Sequence, residues 1–274
     1  MTSSLSFSIT TFIYGSAACA YICGWIFKKN FMNQSGTYLT ILAFICNSVG
    51  IILRWIESYE MGIGHAPLSN LYESLVFFSW TIAIIYLNIE FRYKNKTIGA
   101  FAMPLAFISL AYASLPGVNN NIQPLIPALK SNWLIAHVFT CFLGYAGFAV
   151  AFGLSIMYFV KSNESLQFGH LLPDNAMLDD LTYQMIMFGF LFLTAGIMTG
   201  SVWANSAWGA YWSWDPKETW SLITWFIYAT VIHARLMRGW TGRRIAWISI
   251  FGFCAVLFTY FGVNLLPGLH SYGQ

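Results

Sequence analysis

Charge is scarce in this sequence of 274 residues. Asp, Glu, Lys and Arg together make up 8% of the chain and hydrophobic residues 58%, whereas an ordinary soluble domain carries about 25% charged residues. This composition excludes a water-soluble globular protein, and no stretch is polar enough to form a separate soluble domain. We therefore expect residues 1–274 to form a single membrane domain.

Several sequence patterns that carry chemistry are also missing. None of the five cysteines belongs to a CxxC pair, and each falls within an apolar run, where Cys is mostly a packing residue. The chain has no Ser-His-Asp arrangement, no glycine-rich phosphate loop and no suitably placed carboxylate pair, which argues against ATP-driven transport by this chain. The first apolar run lacks the basic start and small-residue cleavage site of a signal peptide, so we expect it to stay in the protein.

Apolar runs long enough to cross a bilayer recur along the whole chain. A transmembrane helix needs roughly 20 apolar residues to cross a hydrocarbon layer about 30 Å thick, and in lipid the backbone must satisfy its hydrogen bonds internally. The pattern predicts an all-α, polytopic membrane bundle of about eight transmembrane helices. The predicted spans are 6–27, 37–56, 71–91, 98–115, 133–160, 182–201, 219–237 and 244–264.

Lysine and arginine are distributed unevenly between the two sides of the predicted bundle. Ten of the thirteen lie in loops after odd-numbered spans, and three lie on the other side. Because short cytoplasmic loops retain Lys and Arg, this bias places both termini on the outer side, in the periplasm or a thylakoid lumen. The net charge of +3 reports this topology and predicts no nucleic-acid partner. The ten inner residues are Lys28, Lys29, Arg92, Lys94, Lys96, Lys161, Arg235, Arg238, Arg243 and Arg244.

Tryptophan is concentrated in one outer segment. Six of the twelve Trp residues fall between positions 203 and 225. Tryptophan at helix ends commonly forms an interfacial aromatic belt, but a belt is shared among many helix ends and does not explain this grouping. We expect residues 202–220 to form an outer loop that acts as a platform for a large, flat, apolar ligand. The candidate binding residues are Trp203, Trp208, Trp212, Trp214, Asp215 and Trp220.

The sequence DPKE predicts where the seventh helix begins. Asp215 is a typical N-cap residue, Pro216 suits the first helical position, and Glu218 follows the cap by three residues, as in a capping box. Asp215 and Glu218 are thus better explained as helix-capping residues than as an acid–base pair. The helix start and Lys217 also provide favourable surroundings for anionic groups of a ligand.

Three histidines are candidate metal ligands. His137 opens the fifth span and His270 follows the eighth, so both lie on the outer side with the Trp-rich segment. Two neutral imidazoles from opposite sides are the axial ligands that a haem iron takes, whereas a single loop His is more often a solvated polar residue. His233 lies near the inner end of the seventh span, where an ionisable residue indicates a functional site unless it merely donates to a backbone carbonyl. His170 is interpreted as a plain loop residue, and His65 is left without a role.

Three segments together resemble the CcsA family of cytochrome c biogenesis, which handles haem and carries a tryptophan-rich WWD domain. The segments are WGAYWSWDPKETWSLITW at 208–225, GHAPLSNLYESLVFFSW at 64–80 and VNLLPGLHSYG at 263–273. The WWD motif alone would also fit the haem exporters of a sister biogenesis system, and the other two segments narrow the resemblance to CcsA. The resemblance covers nearly the whole chain.

This resemblance implies a function. Haem b from the inner side would cross the membrane and be presented on the outer face to apocytochrome c, whose CxxCH thiols add to the haem vinyl groups. The chain would then be a subunit of a haem–cytochrome c synthase, in a thylakoid membrane or a bacterial cytoplasmic membrane. His137 and His270 match the two outer axial ligands, and His233 matches a ligand of an inner haem site, whose second ligand would come from a CcsB-type partner.

Two other classes of function fit part of the pattern. A small-solute transporter or channel would use the Trp-rich segment as an outer gate and His233 as a proton-relay group. Transporters of this kind commonly have paired broken helices in two related halves, and the sequence shows no such symmetry. A purely structural scaffold leaves the grouping of Trp and outer His unexplained.

Overall fold

The helices of the computed structural model correspond to the predicted spans. The structure describes residues 2–163 and 169–269, and within them it contains eight α-helices, four short 3-10 helices and no strand. Each α-helix corresponds to one predicted span, which confirms the all-α bundle. The helices are α1 (Ser3–Ile26), α2 (Asn30–Glu60), α3 (Leu71–Tyr93), α4 (Gly99–Ala113), α5 (Asn132–Ser162), α6 (Asn175–Trp208), α7 (Pro216–Arg238) and α8 (Arg243–Tyr260).

Seven of these helical segments are long and apolar enough to cross a membrane, which identifies an integral membrane protein. The remaining helix, α7, is 23 residues long, a length that also suffices to span a bilayer. Its hydropathy is lower because charged residues stand at both of its ends and Trp, Tyr and Thr recur between them.

The chain divides into two compact units. The first comprises α1 to α4, within Met1–Ile126 and Asn163–Pro173, and the second comprises α5 to α8, within Pro127–Ser162 and Asp174–Gln274. The candidate site residues that the structure describes all belong to the second unit. The expectation that residues 1–274 act as one membrane domain stays a prediction.

Two buried acidic residues fix the packing of the first unit. Glu90, near the end of α3, accepts hydrogen bonds from the hydroxyls of Tyr21 on α1 (2.7 Å) and Thr37 on α2 (2.6 Å). Glu73, in the first turn of α3, forms a buried ion pair with Arg54 of α2 at 2.8 Å. Because a buried charge is costly unless it is paired or hydrogen-bonded, these contacts fix how the first three helices pack.

Glycines bring α5 and α6 of the second unit close together. A Cβ on Gly144 of α5 would lie 2.9 Å from the α6 backbone, and one on Gly189 of α6 would lie 2.5 Å from the Phe148 ring of α5. Small residues at such positions are typical of tightly packed membrane helices. The start of α5 lies beside the end of α6, where His137 contacts Gly196, so the two helices are antiparallel.

A polar cluster marks the opposite end of the second unit. Arg235, near the end of α7, donates to Asp179 in the second turn of α6 at 2.5 Å. The other carboxylate oxygen of Asp179 accepts from the backbone N–H of Gly242, which caps α8, at 2.7 Å. Three helix ends therefore meet here. We call this the Arg235 end of the unit, and the end that holds His137 the His137 end.

Candidate functional site at the His137 end

The Trp-rich segment is partly helical. Trp203 and Trp208 lie on the last turns of α6, which extends beyond the predicted span and ends at Trp208. Gly209 terminates the helix in the left-handed conformation, with φ of 80°, and such a C-cap favours glycine because it has no Cβ. The connection that carries Trp212 and Trp214 is therefore shorter than the predicted loop.

The start of α7 has the geometry that its sequence predicts. The Asp215 side chain accepts from the backbone N–H of Lys217 at 2.9 Å, and the Glu218 carboxylate accepts from the backbone N–H of Asp215 at 3.2 Å. Pro216 occupies the first turn, where its missing N–H costs nothing. The predicted capping box is confirmed.

The indole rings of the segment do not share one plane. Trp203 and Trp208 meet at 64° with centroids 4.8 Å apart, and Trp212 and Trp214 meet at 88° with centroids 5.8 Å apart. Trp220 lies instead against the Phe258 ring of α8, at 4.2 Å. The rings thus present two edge-to-face pairs and no single flat surface, and their binding of a ligand stays a prediction.

Trp214 has an unusual backbone conformation. Its φ is 61°, a left-handed conformation that costs an L-residue about 1–2 kcal/mol. Its side chain is 69% exposed, whereas that of Trp203 is 2% exposed. Strained residues with exposed side chains are frequent at functional sites, so Trp214 is the indole best placed to meet a ligand.

His137 is held in one orientation by the end of α6. Its Nδ1 lies 2.7 Å from the carbonyl oxygen of Gly196, and a carbonyl only accepts, so Nδ1 carries the proton. Its ring is nearly parallel to that of Trp203, at 13° with centroids 5.9 Å apart. With Nδ1 engaged, Nε2 keeps its lone pair for a metal, as in many His-ligated sites.

Because Gly200 has no side chain, the His137 ring can pack directly against the backbone of α6. A Cβ on Gly200 would lie 2.5 Å from His137 Nδ1, and one on Gly196 would lie 2.5 Å from the Sγ atom of Cys141. Neither glycine was among the candidate site residues predicted from the sequence. Their GxxxG spacing is a recognised signal for close helix approach and would have identified this contact between α5 and α6.

Lys217 brings a positive charge to the same end. Its ammonium group donates to Asn264, whose side chain donates to the carbonyl oxygen of Tyr260 at the end of α8. The Tyr260 ring packs edge-to-face on Phe142 of α5, with centroids 5.5 Å apart. Lys217 is thus the cation at this helix start, where Pro216 has no N–H and the backbone N–H of Lys217 is already bonded to Asp215.

The chain segment after α8 returns to the start of α7. The Asp215 carboxylate accepts from the backbone N–H of Leu269 at 2.6 Å, and the Lys217 ammonium group donates to the side chain of Asn264 at 3.3 Å. His270 itself lies outside the described residues. The residue that precedes it in the chain is therefore placed at the His137 end, a contact that the sequence analysis missed.

His233 lies far from these residues. It is on α7, 18 positions after Asp215 and close to the Arg235 end, so the rise of the helix separates the two by about 27 Å. Its side chain is exposed and belongs to an exposed stripe with a spacing of three and four residues, which places these residues on one face of α7. The stripe consists of Ile223, Phe226, Thr230, His233 and Met237.

His65, which the sequence left without a role, is a buried structural residue of the first unit. Its Nδ1 and Nε2 lie 2.9 Å and 3.0 Å from the carbonyl oxygens of Ala66 and Gln123, and it is 7% exposed. Both ring nitrogens are occupied by backbone contacts. In this arrangement neither nitrogen is available to a metal.

The sequence matches a known protein family and several of its members. Residues 68–270 match the family model described as Cytochrome C assembly protein. The chain is 42% identical over 279 residues to the cytochrome c biogenesis protein CcsA of Guillardia theta, which covers 93% of this chain and 91% of the relative. It is 40% identical over 280 residues to CcsA of Prochlorococcus marinus, with 91% and 87% covered.

A solved structure shares the fold. The chain named Cytochrome c Heme Lyase CcmF superposes with a TM-score of 0.68 over 97% of this chain, at 14% sequence identity. This chain spans about half of that protein, since 51% of the CcmF chain is covered. The likeness therefore concerns the arrangement of helices alone.

Proposed function

Because this chain belongs to the CcsA family of cytochrome c assembly proteins, we propose that it moves haem b across the membrane and presents it on the outer face for attachment to apocytochrome c. Its role in cytochrome c biogenesis is the role of the family. Haem is the substrate in this proposal, and the chain is one subunit of a haem–cytochrome c synthase that presents it to the CxxCH segment of apocytochrome c.

The observation that carries the proposal is the orientation of His137. Nδ1 donates to the Gly196 carbonyl and the ring packs against Trp203, so Nε2 is unprotonated and its lone pair can bind a metal. A neutral imidazole in this form is what binds a haem iron. The same end holds Asp215 and, through it, the residue before His270. These positions support His137 and His270 as the two axial ligands of an outer site.

The Trp-rich segment would contribute contacts to the flat apolar ring system. Trp214 is exposed and Trp208 packs against the Trp203 ring beside His137, while Trp212, Trp220 and Asp215 complete the predicted set. Lys217 suits a propionate group of haem, since its ammonium group can form a charge-assisted hydrogen bond with a carboxylate.

An inner site would form at the other end of α7. His233 is exposed on a stripe along one face of α7, so its ring faces outward from the second unit. This supports a binding site completed by a second protein, and we assign the second ligand to a CcsB-type membrane partner.

The sidedness follows from the basic residues. Five Lys and Arg residues lie toward the Arg235 end of the second unit, and only Lys130 and Lys217 lie toward the His137 end. The positive-inside rule then puts the His137 end outside, with both termini on the lumenal or periplasmic side of a thylakoid or bacterial cytoplasmic membrane. The five residues are Lys161, Arg235, Arg238, Arg243 and Arg244.

The contribution of the protein to attachment is positioning. Thioether formation joins the cysteine thiols of apocytochrome c to the vinyl carbons that haem supplies. His137 and the indoles hold and orient the ring system, and holding two reactants in a productive geometry supplies a large part of a rate acceleration. No side chain of this chain has to act as a nucleophile.

An absorption spectrum of the complex, purified with its partner from haem-replete cells, tests the proposal. We expect a Soret band and the split visible bands of bis-His haem. His137→Ala and His270→Ala should each abolish cytochrome c maturation while the protein stays in the membrane, and added imidazole should partly restore it by filling the vacant axial position.

His170→Ala serves as the matched control, since it removes a histidine interpreted as a loop residue. It should mature cytochrome c normally. A colourless wild-type complex would refute the proposal, and normal maturation in both axial-ligand variants would refute the ligand assignment.

A further inference from the structure

Asp215 does more than cap a helix, because its two carboxylate oxygens serve two segments that are 54 residues apart in the chain. One oxygen accepts from Lys217 N at 2.9 Å, the ordinary N-cap bond. The other accepts from Leu269 N at 2.6 Å. The side chain is 6% exposed, so neither bond is readily replaced by water.

A helix cap alone does not require a carboxylate. Asn, Ser and Thr cap helices about as well as Asp, but each has a single oxygen on its side chain that accepts hydrogen bonds. Only a carboxylate presents two acceptor oxygens at this distance from the backbone. The second oxygen is what distinguishes Asp215 from the other residues that would start α7.

The backbone of residues 266–269 approaches Asp215 closely. A Cβ on Gly268 would lie 2.5 Å from Asp215 Oδ2, so any larger residue there would push the segment away. Lys217 donates to Asn264 a few residues earlier. The segment after α8 is thus tied to the first turn of α7 at two points.

We propose that Asp215 is a positioning residue that places His270 for haem ligation by holding the amide of Leu269. His270 follows Leu269 directly in the chain, so the segment that Asp215 holds is the one that leads into this proposed ligand. This inference rests on the proposed function. It adds a role for the acidic residue of the Trp-rich segment that is separate from contact with haem.

The test compares the same substitution at two helix caps. Asp215→Asn leaves one acceptor oxygen where there were two. Because Asn is a good N-cap residue, we expect that oxygen to keep the bond to Lys217 N and the bond to Leu269 N to be lost. Asp174→Asn is the matched control, because Asp174 caps α6 through Met177 N at 2.7 Å and is exposed. Gly268→Ala disturbs the same contact from the other side and leaves the cap residue intact.

Hydrogen exchange of peptides covering 266–269 reports the contact without any haem. We expect Asp215→Asn and Gly268→Ala to speed exchange at Leu269 at least about ten-fold, since bonds to a charged acceptor are among the stronger ones. Asp174→Asn should leave it unchanged. Unchanged exchange in both Asp215→Asn and Gly268→Ala would overturn the inference.

The spectrum of the complex with its partner reports the consequence for the ligand. Asp215→Asn and Gly268→Ala should shift haem from six-coordinate, low-spin toward five-coordinate, high-spin, and imidazole should reverse the shift. Faster exchange with an unchanged low-spin spectrum would also overturn the inference. A wild-type complex without haem would refute the proposed function, whereas the exchange measurement would still decide whether Asp215 holds the segment.

Discussion

Substituting alanine for Gly200 should weaken haem retention through His137 without harming α6. The new Cβ would lie 2.5 Å from Nδ1 and 2.6 Å from Cε1 of His137, whereas favourable contacts begin near about 3.5 Å. The ring must therefore move by about 1 Å. In a helix interior, Gly to Ala is favourable by about 1 kcal/mol, so a loss of haem would not reflect a weaker helix.

The size of the effect follows from the two contacts that orient His137. The hydrogen bond to Gly196 contributes about 0.5–1.5 kcal/mol, and the packing against Trp203 contributes a similar amount beyond burial, about 0.5–1.5 kcal/mol. Loss of both amounts to about 1–3 kcal/mol, which corresponds to roughly 5- to 150-fold weaker binding at the outer site.

The assay is the haem-to-protein ratio and the spin state of the complex, purified with its partner. Gly200→Ala should lower the ratio and produce a five-coordinate component that imidazole removes. Gly117→Ala is the control, since a Cβ there meets nothing within 4 Å. A wild-type ratio with a low-spin spectrum in Gly200→Ala would refute the view that His137 is an axial ligand oriented by α6.

Two further predictions concern the indoles and the direction of transfer. Trp212→Ala or Trp214→Ala should weaken haem binding by roughly 5- to 150-fold, because stacking on an aromatic ring is worth about 1–3 kcal/mol. Trp240→Ala on the opposite loop should not weaken it, and equal haem content in all three variants would contradict the platform. If haem passes from the inner to the outer site, His233→Ala should empty both sites, whereas His137→Ala should leave haem at the inner site. Haem per protein in each purified complex decides this, and a fully loaded outer site in His233→Ala would contradict the inner-to-outer route.

Local patterns explain why the helices and the start of α7 could be predicted. A membrane span is set by the hydropathy of about 20 consecutive residues, and a capping box by four neighbouring residues. The start of α7 could therefore be predicted from Asp215, Pro216 and Glu218 alone. The grouping of Trp likewise identified the segment without a structure.

The orientation of each indole ring in the Trp-rich segment could not be predicted from local sequence patterns. Trp203 and Trp214 belong to one Trp-rich segment, yet one is buried against His137 and the other is exposed. The difference arises because α6 continues to Trp208 and packs on α5, so helix packing rather than composition decides which ring faces out. The prediction of one platform over residues 202–220 treated the two indoles as equivalent.

The sequence by itself determined the membrane class, the spans, the helix cap and the family, since each depends on residues that are near one another or on a pattern along the chain. Only the tertiary structure decided which nitrogen of His137 is free, because that depends on the Gly196 carbonyl of another helix. The same holds for the bond from Asp215 to Leu269, across 54 positions. A side chain of a given type forms such contacts only where the fold brings a partner within about 3 Å, and spacing along a chain does not specify that distance.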